Sequence, residues 1–569
     1  MTINNNHIRS SLFVIAGIII LNVLSSYVYK RFDLTQDNRY TLSEAAKNTI
    51  ATVESPIIID VFLKGNFPPE FKRLQTETRQ LLEEFSAYNS NIKYNFVNPL
   101  EGEKNPEAVQ KSLQQLGLTT AQVEVRENGK VSTEFVYPWA LANFGTKTVK
   151  IPLLKNQLGT TSEERVNNSI QNLEYAFADG FNKLVAPKKR KVAVLKGNGE
   201  LDDRYIADFF KTLKEYYYIA PFTLDSAAVS PQKTLKDLAS YDLVVVAQPT
   251  EAFSDSEKYI LDQFIMQGGA SLWLIDATGQ QVEENSGKTL AYPMDLNLND
   301  LFFKYGVRIN SNLIKDMISA PIVLASGTEN DSQYNRYPWF YYPLTASENN
   351  HPIVTNIEAV KFEYASQIDT LPNTVKKTVL LGTSTITKLV GLPNEISFDR
   401  DIPQNIQVVN EGPNLEEFGA GSIPLAVLLE GKLTSAFNNR IKPFKLAGSS
   451  QNRLTDKTES TNAKMVIISD GDIIKNQFQG NRPLELGFDK MTQSFYGNKE
   501  FLLNTVNYLL DDDGLINIRT KEIAVPFLDT QKSIQERTQW QLINLLLPLG
   551  LLAIFGIGFN YYRKHKYAS

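Results

Sequence analysis

The chain opens and closes on apolar runs, and between them the apolar residues recur with the periods of helices and strands. Near the C-terminus, 538–562 reads TQWQLINLLLPLGLLAIFGIGFNYY, carries no charge, and is followed by Arg563, Lys564, His565 and Lys566. That is longer than the roughly 20 apolar residues that cross a bilayer. Trp540 lies at one end and Tyr561 and Tyr562 at the other, where amphipathic rings favour the headgroup region. The pattern predicts a membrane helix over 540–562; a buried core helix is the alternative, but it seldom stays uncharged so long. The run 10–29, SSLFVIAGIIILNVLSSYVY after Arg9, predicts a second. A cleaved signal peptide is disfavoured there, because the chain passes directly into Tyr27, Tyr29, Lys30 and Arg31 with no small-x-small cleavage site. Two crossings put both termini on one side. The basic cluster after the second helix assigns that side to the cytoplasm, whereas Lys30 and Arg31 pull the first helix the other way. Long loops translocate largely regardless of charge, so the stretch between the helices is expected to be extracytoplasmic.

Within that stretch the pattern predicts two α/β regions, 32–186 and 190–525. In the first, Thr41 and Glu44 have capping-box spacing. The helix they open carries Leu42, Ala46, Ile50 and Val53 on one face. Ile57–Leu63 and Asn91–Val97 read as strands around a helix that starts at Pro68 and Pro69. A short helix over 107–116, a hairpin turned at Asn128-Gly129, a strand over 147–153 and a long amphipathic helix over 162–184 follow. This order is compatible with a thioredoxin-like sheet that lacks Cys-x-x-Cys. Pro187-Lys188-Lys189-Arg190-Lys191 marks the boundary: a solvated linker, or a basic patch for acidic headgroups or a partner. In the second region strands at 192–195, 242–247, 270–275 and 464–469 alternate with helices at 203–216, 254–267 and 498–510, a spacing that means a parallel sheet covered on both faces. Ser254 and Glu257 give another capping box. The segment of about 278–461 is rich in Asn, Ser, Gly and Pro and reads as partly an insertion, with a strand pair over 421–437.

Charged residues are 21% and hydrophobic residues 42%, ordinary for globular domains. A net charge of −5 and the lack of a strongly basic block outside the termini argue against a nucleic-acid partner. The sequence has no cysteine, which removes disulfides, thiolate metal sites, cysteine nucleophiles and lipoprotein acylation. Of its three histidines only His351 lies between the two apolar runs. Cys-His and Ser-His-Asp catalysis are close to excluded, and a zinc site would have to be built from carboxylates. No Walker A motif is present.

Three candidates remain. Gly197 and Gly199, with Glu200, follow a predicted strand end, where doubly wound sheets bind ligands. No Gly-Lys-Ser/Thr follows, and Asp202 and Asp203 would repel phosphate, so a structural turn competes with a ligand site. Asp276, and Asp470 with Asp472, close two other strands and could join Glu200 as a carboxylate cluster for a hard cation, although turns favour Asp and Gly for their own reasons. Finally, Tyr334 to Pro343, YNRYPWFYYP, suits a sugar platform, a protein interface or core filling.

The chain resembles the GldG family, gliding-motility-associated ABC transporter components of Bacteroidota. The resemblance rests on Asp33-Leu34-Thr35 with Arg39-Tyr40-Thr41-Leu42-Ser43, and on Gly197-Asn198-Gly199-Glu200. It also rests on Pro424-Leu425-Ala426 with Leu429-Glu430-Gly431, on Ser469-Asp470-Gly471-Asp472, and on 498–510. It implies an inner-membrane protein that works with a GldF-like permease and a GldA-like ATPase, with envelope or motility-machinery proteins as further partners and no cofactor. It also implies that the second region is a class I glutamine-amidotransferase-like, flavodoxin-like parallel sheet. That fold's catalytic cysteine is missing here, so no catalytic residue carries over. The competing expectation is a membrane-anchored hydrolase using carboxylates on envelope carbohydrate.

Overall fold

The computed structural model describes residues 14–19, 41–521 and 530–567, apart from 66, 103, 128–129, 156–159, 284–285, 329–330, 348, 447–454 and 512–513. Most of the apolar run 10–29, the motif residues 33–40 and the hairpin turn at Asn128-Gly129 lie outside the described residues. Residues up to Lys521 form one compact unit, and Glu522 onward a second.

A four-stranded sheet organises the N-terminal part. Helix α1 (Glu44–Ala51) leads into β1 (Ile57–Val61), α2 (Pro69–Tyr88) and β2 (Ile92–Phe96). The expected cap on α1 moves by two residues. Ser43, not Thr41, accepts from the Ala46 N–H, and the Ser43 N–H is itself held by Glu174. The βαβ unit forms because Phe71, Leu74, Leu82 and Phe85 make one buried stripe along α2. Strands β3 (Trp139–Phe144), which the apolar pattern did not reveal, and β4 (Lys147–Pro152) complete the order β2-β1-β3-β4, with β1 and β2 parallel and the other pairs antiparallel. Helix α3 (Ser162–Val185) covers this sheet. It starts at a capping box between Thr161 and Glu164 and packs Phe177 and Phe181 against Phe85, the latter pair edge-on at 5.1 Å.

The main sheet has seven strands: β5 (Lys191–Lys196), β6 (Tyr218–Thr223), β7 (Leu243–Ala247), β8 (Ala270–Leu274), β9 (Lys376–Gly382), β10 (Pro424–Gly431) and β11 (Ala463–Ile468). Their order is β9-β10-β11-β8-β7-β5-β6. The five strands β6, β5, β7, β8 and β11 are parallel. Every residue of β7 and β8 is buried, as continuous apolar strands between two helical layers require. The side chains divide with period two. Val244, Val246 and Trp273 enter one core with helix α4 (Asp255–Met266), while Val245, Leu272 and Leu274 enter another with helix α5 (Asn498–Leu510).

The structure corrects four details. The sheet is not wholly parallel, because β10 and β9 close one edge antiparallel; Lys376 and Lys377 sit on that edge strand, where charge discourages further pairing. Both strands come from the segment expected to be partly an insertion. The strand pair expected over 421–437 is the single strand β10, whose partners lie elsewhere in the chain. The helix expected over 203–216 is a 3-10 turn, Asp203–Ile206, followed by the short helix Ala207–Leu213. Helix α5 is capped by Gly497 rather than Asn498, whose side chain instead braces the backbone of Lys361.

In the C-terminal unit, Arg537–Tyr567 is one continuous helix, long and apolar enough to cross a membrane. Pro548 sits inside it, as membrane helices tolerate.

Candidate functional site

Strand ends β5, β7, β8 and β11 all point their carboxyl edges the same way, so the loops after them share one rim of the sheet. In chain order the parallel strands run 2-1-3-4-5 across the sheet, and the order reverses between β5 and β7. That crevice is where open α/β sheets usually take ligands. Here it is closed by the chain itself. The Asn198 carbonyl accepts from the N–H groups of Thr250 and Glu251, and the Thr250 hydroxyl donates to the Gly199 carbonyl. Gly197 and Gly199 sit at φ +116° and +71°, values that L side chains adopt at a cost. A Cβ on Gly197 would also meet Asp225 Oδ1 at 2.8 Å, and one on Gly199 would run into the Thr250 hydroxyl. Both glycines are therefore required by the turn itself.

Glu200 accepts from the Asn198 N–H through Oε2 at 2.8 Å, while Oε1 is buried without a hydrogen bond. Burial pushes its carboxyl above the usual range; Lys196 and Glu257 are its charged neighbours.

The other three predicted residues do converge. Asp276, following β8, accepts from the Gly471 N–H at 2.6 Å and from Gln248 Nε2 at 2.7 Å. Asp470, fully buried, accepts from the Glu363 N–H at 2.6 Å and from the Asp472 N–H at 2.7 Å. Asp472 pairs with Lys475 at 2.9 Å. Gly471 allows this approach, since a Cβ there would collide with the Gln248 side chain. Burial, then the Asp472 charge, raises Asp276 to about 7, and the same two causes raise Asp470 well above the carboxylate range. Burial and like charge thus both favour the protonated form of these two carboxyls. Glu200 is not part of this trio.

Both oxygens of Asp276 and of Asp470 are already occupied by donors from the chain. A perturbed acid in a cleft is often a functional group, but here Asp276 and Asp470 fasten their own loops to those of Gly471, Gln248 and Glu363. Among the described residues no group of three or more acidic or histidine side chains is arranged to hold a metal ion, so the hard-cation cluster does not form.

Gln248, Glu363 and Lys475 are site residues that the sequence reading missed. Gln248 gave a usable signal, since it too directly follows a strand; it adopts φ +52°. Beyond Asp472 opens a cavity of about 370 Å³ lined by Tyr205, Lys361, Glu363, Lys475 and Tyr496. Two of its cations are neutralised locally, Lys361 by Glu363 and Asp489 and Lys475 by Asp472, while Lys490 donates to the Phe478 carbonyl. The aromatic stretch is mostly core, with Trp339, Phe340 and Tyr341 at most 1% exposed; Trp339 and Tyr341 pack with Leu313 and Ile396.

Residues 189–505 match a family described as an ABC-type uncharacterized transport system. Residues 36–143 match a domain family of unknown function. An uncharacterized protein of Borreliella burgdorferi is 20% identical over 551 residues, covering 95% of each chain. Among solved structures, an mmIFT52 N-terminal domain aligns over 57% of this chain and 98% of its own, at 13% identity and a TM-score of 0.32, too low to bear on the fold.

Proposed function

Because the chain belongs to the ABC-type uncharacterized transport system family, we propose that it is a non-catalytic, membrane-anchored auxiliary subunit of an ABC transport complex. The family match over more than half of the chain carries this reading. The apolar helix Arg537–Tyr567 supplies the anchor. ATP hydrolysis falls to a separate ATPase, since this chain has no Walker A motif, and solute passage to a separate permease. The chemistry of the sheet rim favours a binding or scaffolding role. Its carboxylates are taken up by backbone N–H groups, the Gln248 amide and a lysine, and the switch-point crevice is filled by the Gly-Asn-Gly-Glu turn.

The finer assignment follows the sequence motifs. We place the protein with the GldG group: a two-pass inner-membrane protein with cytoplasmic termini and a periplasmic bulk built from a thioredoxin-like and an amidotransferase-like region, acting with GldF-like and GldA-like partners in gliding motility. Protease accessibility of right-side-out and inverted membrane vesicles tests the topology. Digestion of 41–521 only from the outer face of the inner membrane is expected, and digestion only from the cytoplasmic face would overturn it.

A further inference from the structure

A second cavity, away from the sheet rim, lies where the four-stranded sheet and α3 meet the loops before α5. It is a cleft of about 720 Å³, within the size range of small-molecule sites. One wall comes from β3, β4 and α3, the other from 485–504. Its apolar lining includes the rings of Trp139, Tyr175 and Phe495. The Trp139 indole N–H is taken by the Thr119 carbonyl at 2.9 Å, which fixes the ring in the wall.

The charges in the cleft do not balance. Lys183 is answered by Asp179 and Glu215, Lys499 by Glu485 and Asp208, and Lys155 and Arg519 by Glu500. Glu358 turns Oε1 to the Ala359 N–H. Among the described residues Lys150 donates only to a carbonyl, that of Leu116. Arg165, on the first turn of α3, has no carboxylate partner among the described residues, and its Nε is buried without a hydrogen bond. A guanidinium donor removed from water and left unpaired is costly, and its planar fork is suited to a carboxylate, sulfonate or phosphate.

We propose that this cleft binds a small anionic amphiphile, its acidic group on Arg165 and its apolar body against Trp139 and the neighbouring rings. The site stands apart from the transport-subunit reading and is tested without it. The probe is 1-naphthalenesulfonate, titrated calorimetrically into the full chain held in zwitterionic-lipid nanodiscs, with empty discs as the blank. One saturable site per chain is expected. Arg165→Gln should weaken it roughly tenfold, the usual worth of one charge-assisted hydrogen bond, while Arg165→Lys retains part of the affinity. The neutral 1-naphthalenemethanol should bind about as weakly as the sulfonate binds the Gln variant. Arg165 makes no ion pair among the described residues, so its variants should unfold at or above the wild-type temperature; should Arg165→Gln fail to fold, Trp139→Leu replaces it, with the same loss expected. No saturable heat above the blank, equal affinity for the neutral alcohol, or affinity unchanged in the folded variant would each overturn the proposal.

Discussion

Two groups of buried charge sit in this molecule and behave in opposite ways. At the sheet rim, Asp276, Asp470 and Asp472 bring like charges together. In the cleft, Glu500 lies between Lys155 and Arg519, 2.7 Å from each. Burial opposes ionisation in both places. At the rim the nearest strong charge is another carboxylate, so Asp276 rises to about 7. In the cleft the nearest charges are two cations, which overcome burial and draw Glu500 down to about 2. Arg519 reaches the carbonyl of Thr355 and Lys155 that of Asn356, so the second group also ties β4's exit loop to the main-sheet region. The difference teaches that burial alone does not set a carboxylate's state; the sign of its neighbour does.

The largest effect should come from Glu500→Ala. It leaves two cations partly buried without their anion, and denaturant unfolding should show a loss of about 3 kcal/mol. Next is Gly199→Ala, which forces φ +71° on a residue with a Cβ against Thr250 and should cost about 2 kcal/mol in the same assay. Smallest, and of opposite sign, is Asp276→Asn. It keeps an acceptor for the Gly471 N–H, meets the Gln248 amide once that group turns its oxygen inward, and removes a reluctant charge, and should stabilise the fold by about 1 kcal/mol at pH 8 and by nothing at pH 4.

The pH profiles sharpen the contrast. In the folded state Asp276 keeps its proton up to about pH 7, whereas unfolded it loses it near pH 4. Its contribution is therefore greatest below pH 4 and declines as the pH rises to 7. Glu500 runs the other way: its contribution is present above the unfolded value near 4.5 and is lost as the pH falls toward 2. Lys155, lowered by burial to about 8, adds stability as the pH climbs from 8 toward its unfolded value. Melting temperatures of wild type, Asp276→Asn and Glu500→Gln between pH 3 and 8 should diverge in these directions; parallel curves would refute the assignment.

Much of this was legible in the sequence where period and punctuation agree. The buried runs of β7 and β8 and the Ser254–Glu257 capping box could be read directly, as could the uninterrupted apolar segment at the C-terminus. Strand β3 was missed because its buried positions, Ala140 and Ala142, carry little apolar signal. Antiparallel β9 and β10 were hard to place because their partners are set by contacts between distant parts of the chain. At the rim, Asp at a strand end marked Asp276, Asp470 and Asp472, which the structure brings together because all three follow neighbouring strands. Glu200 follows a strand too, but a turn closed by Asn198 and Thr250 holds it apart from the trio. Arg165 gave no signal, because an arginine in the first turn of an amphipathic helix reads as solvent-facing.

The central claim is that this chain is the non-catalytic membrane subunit of an ABC complex. The most direct test is mild extraction and cross-linking of the intact protein from its native membrane, with mass-spectrometric identification of what copurifies. Recovery of a multi-span permease together with a P-loop ATPase is predicted. A chain that comes out with neither would contradict the account.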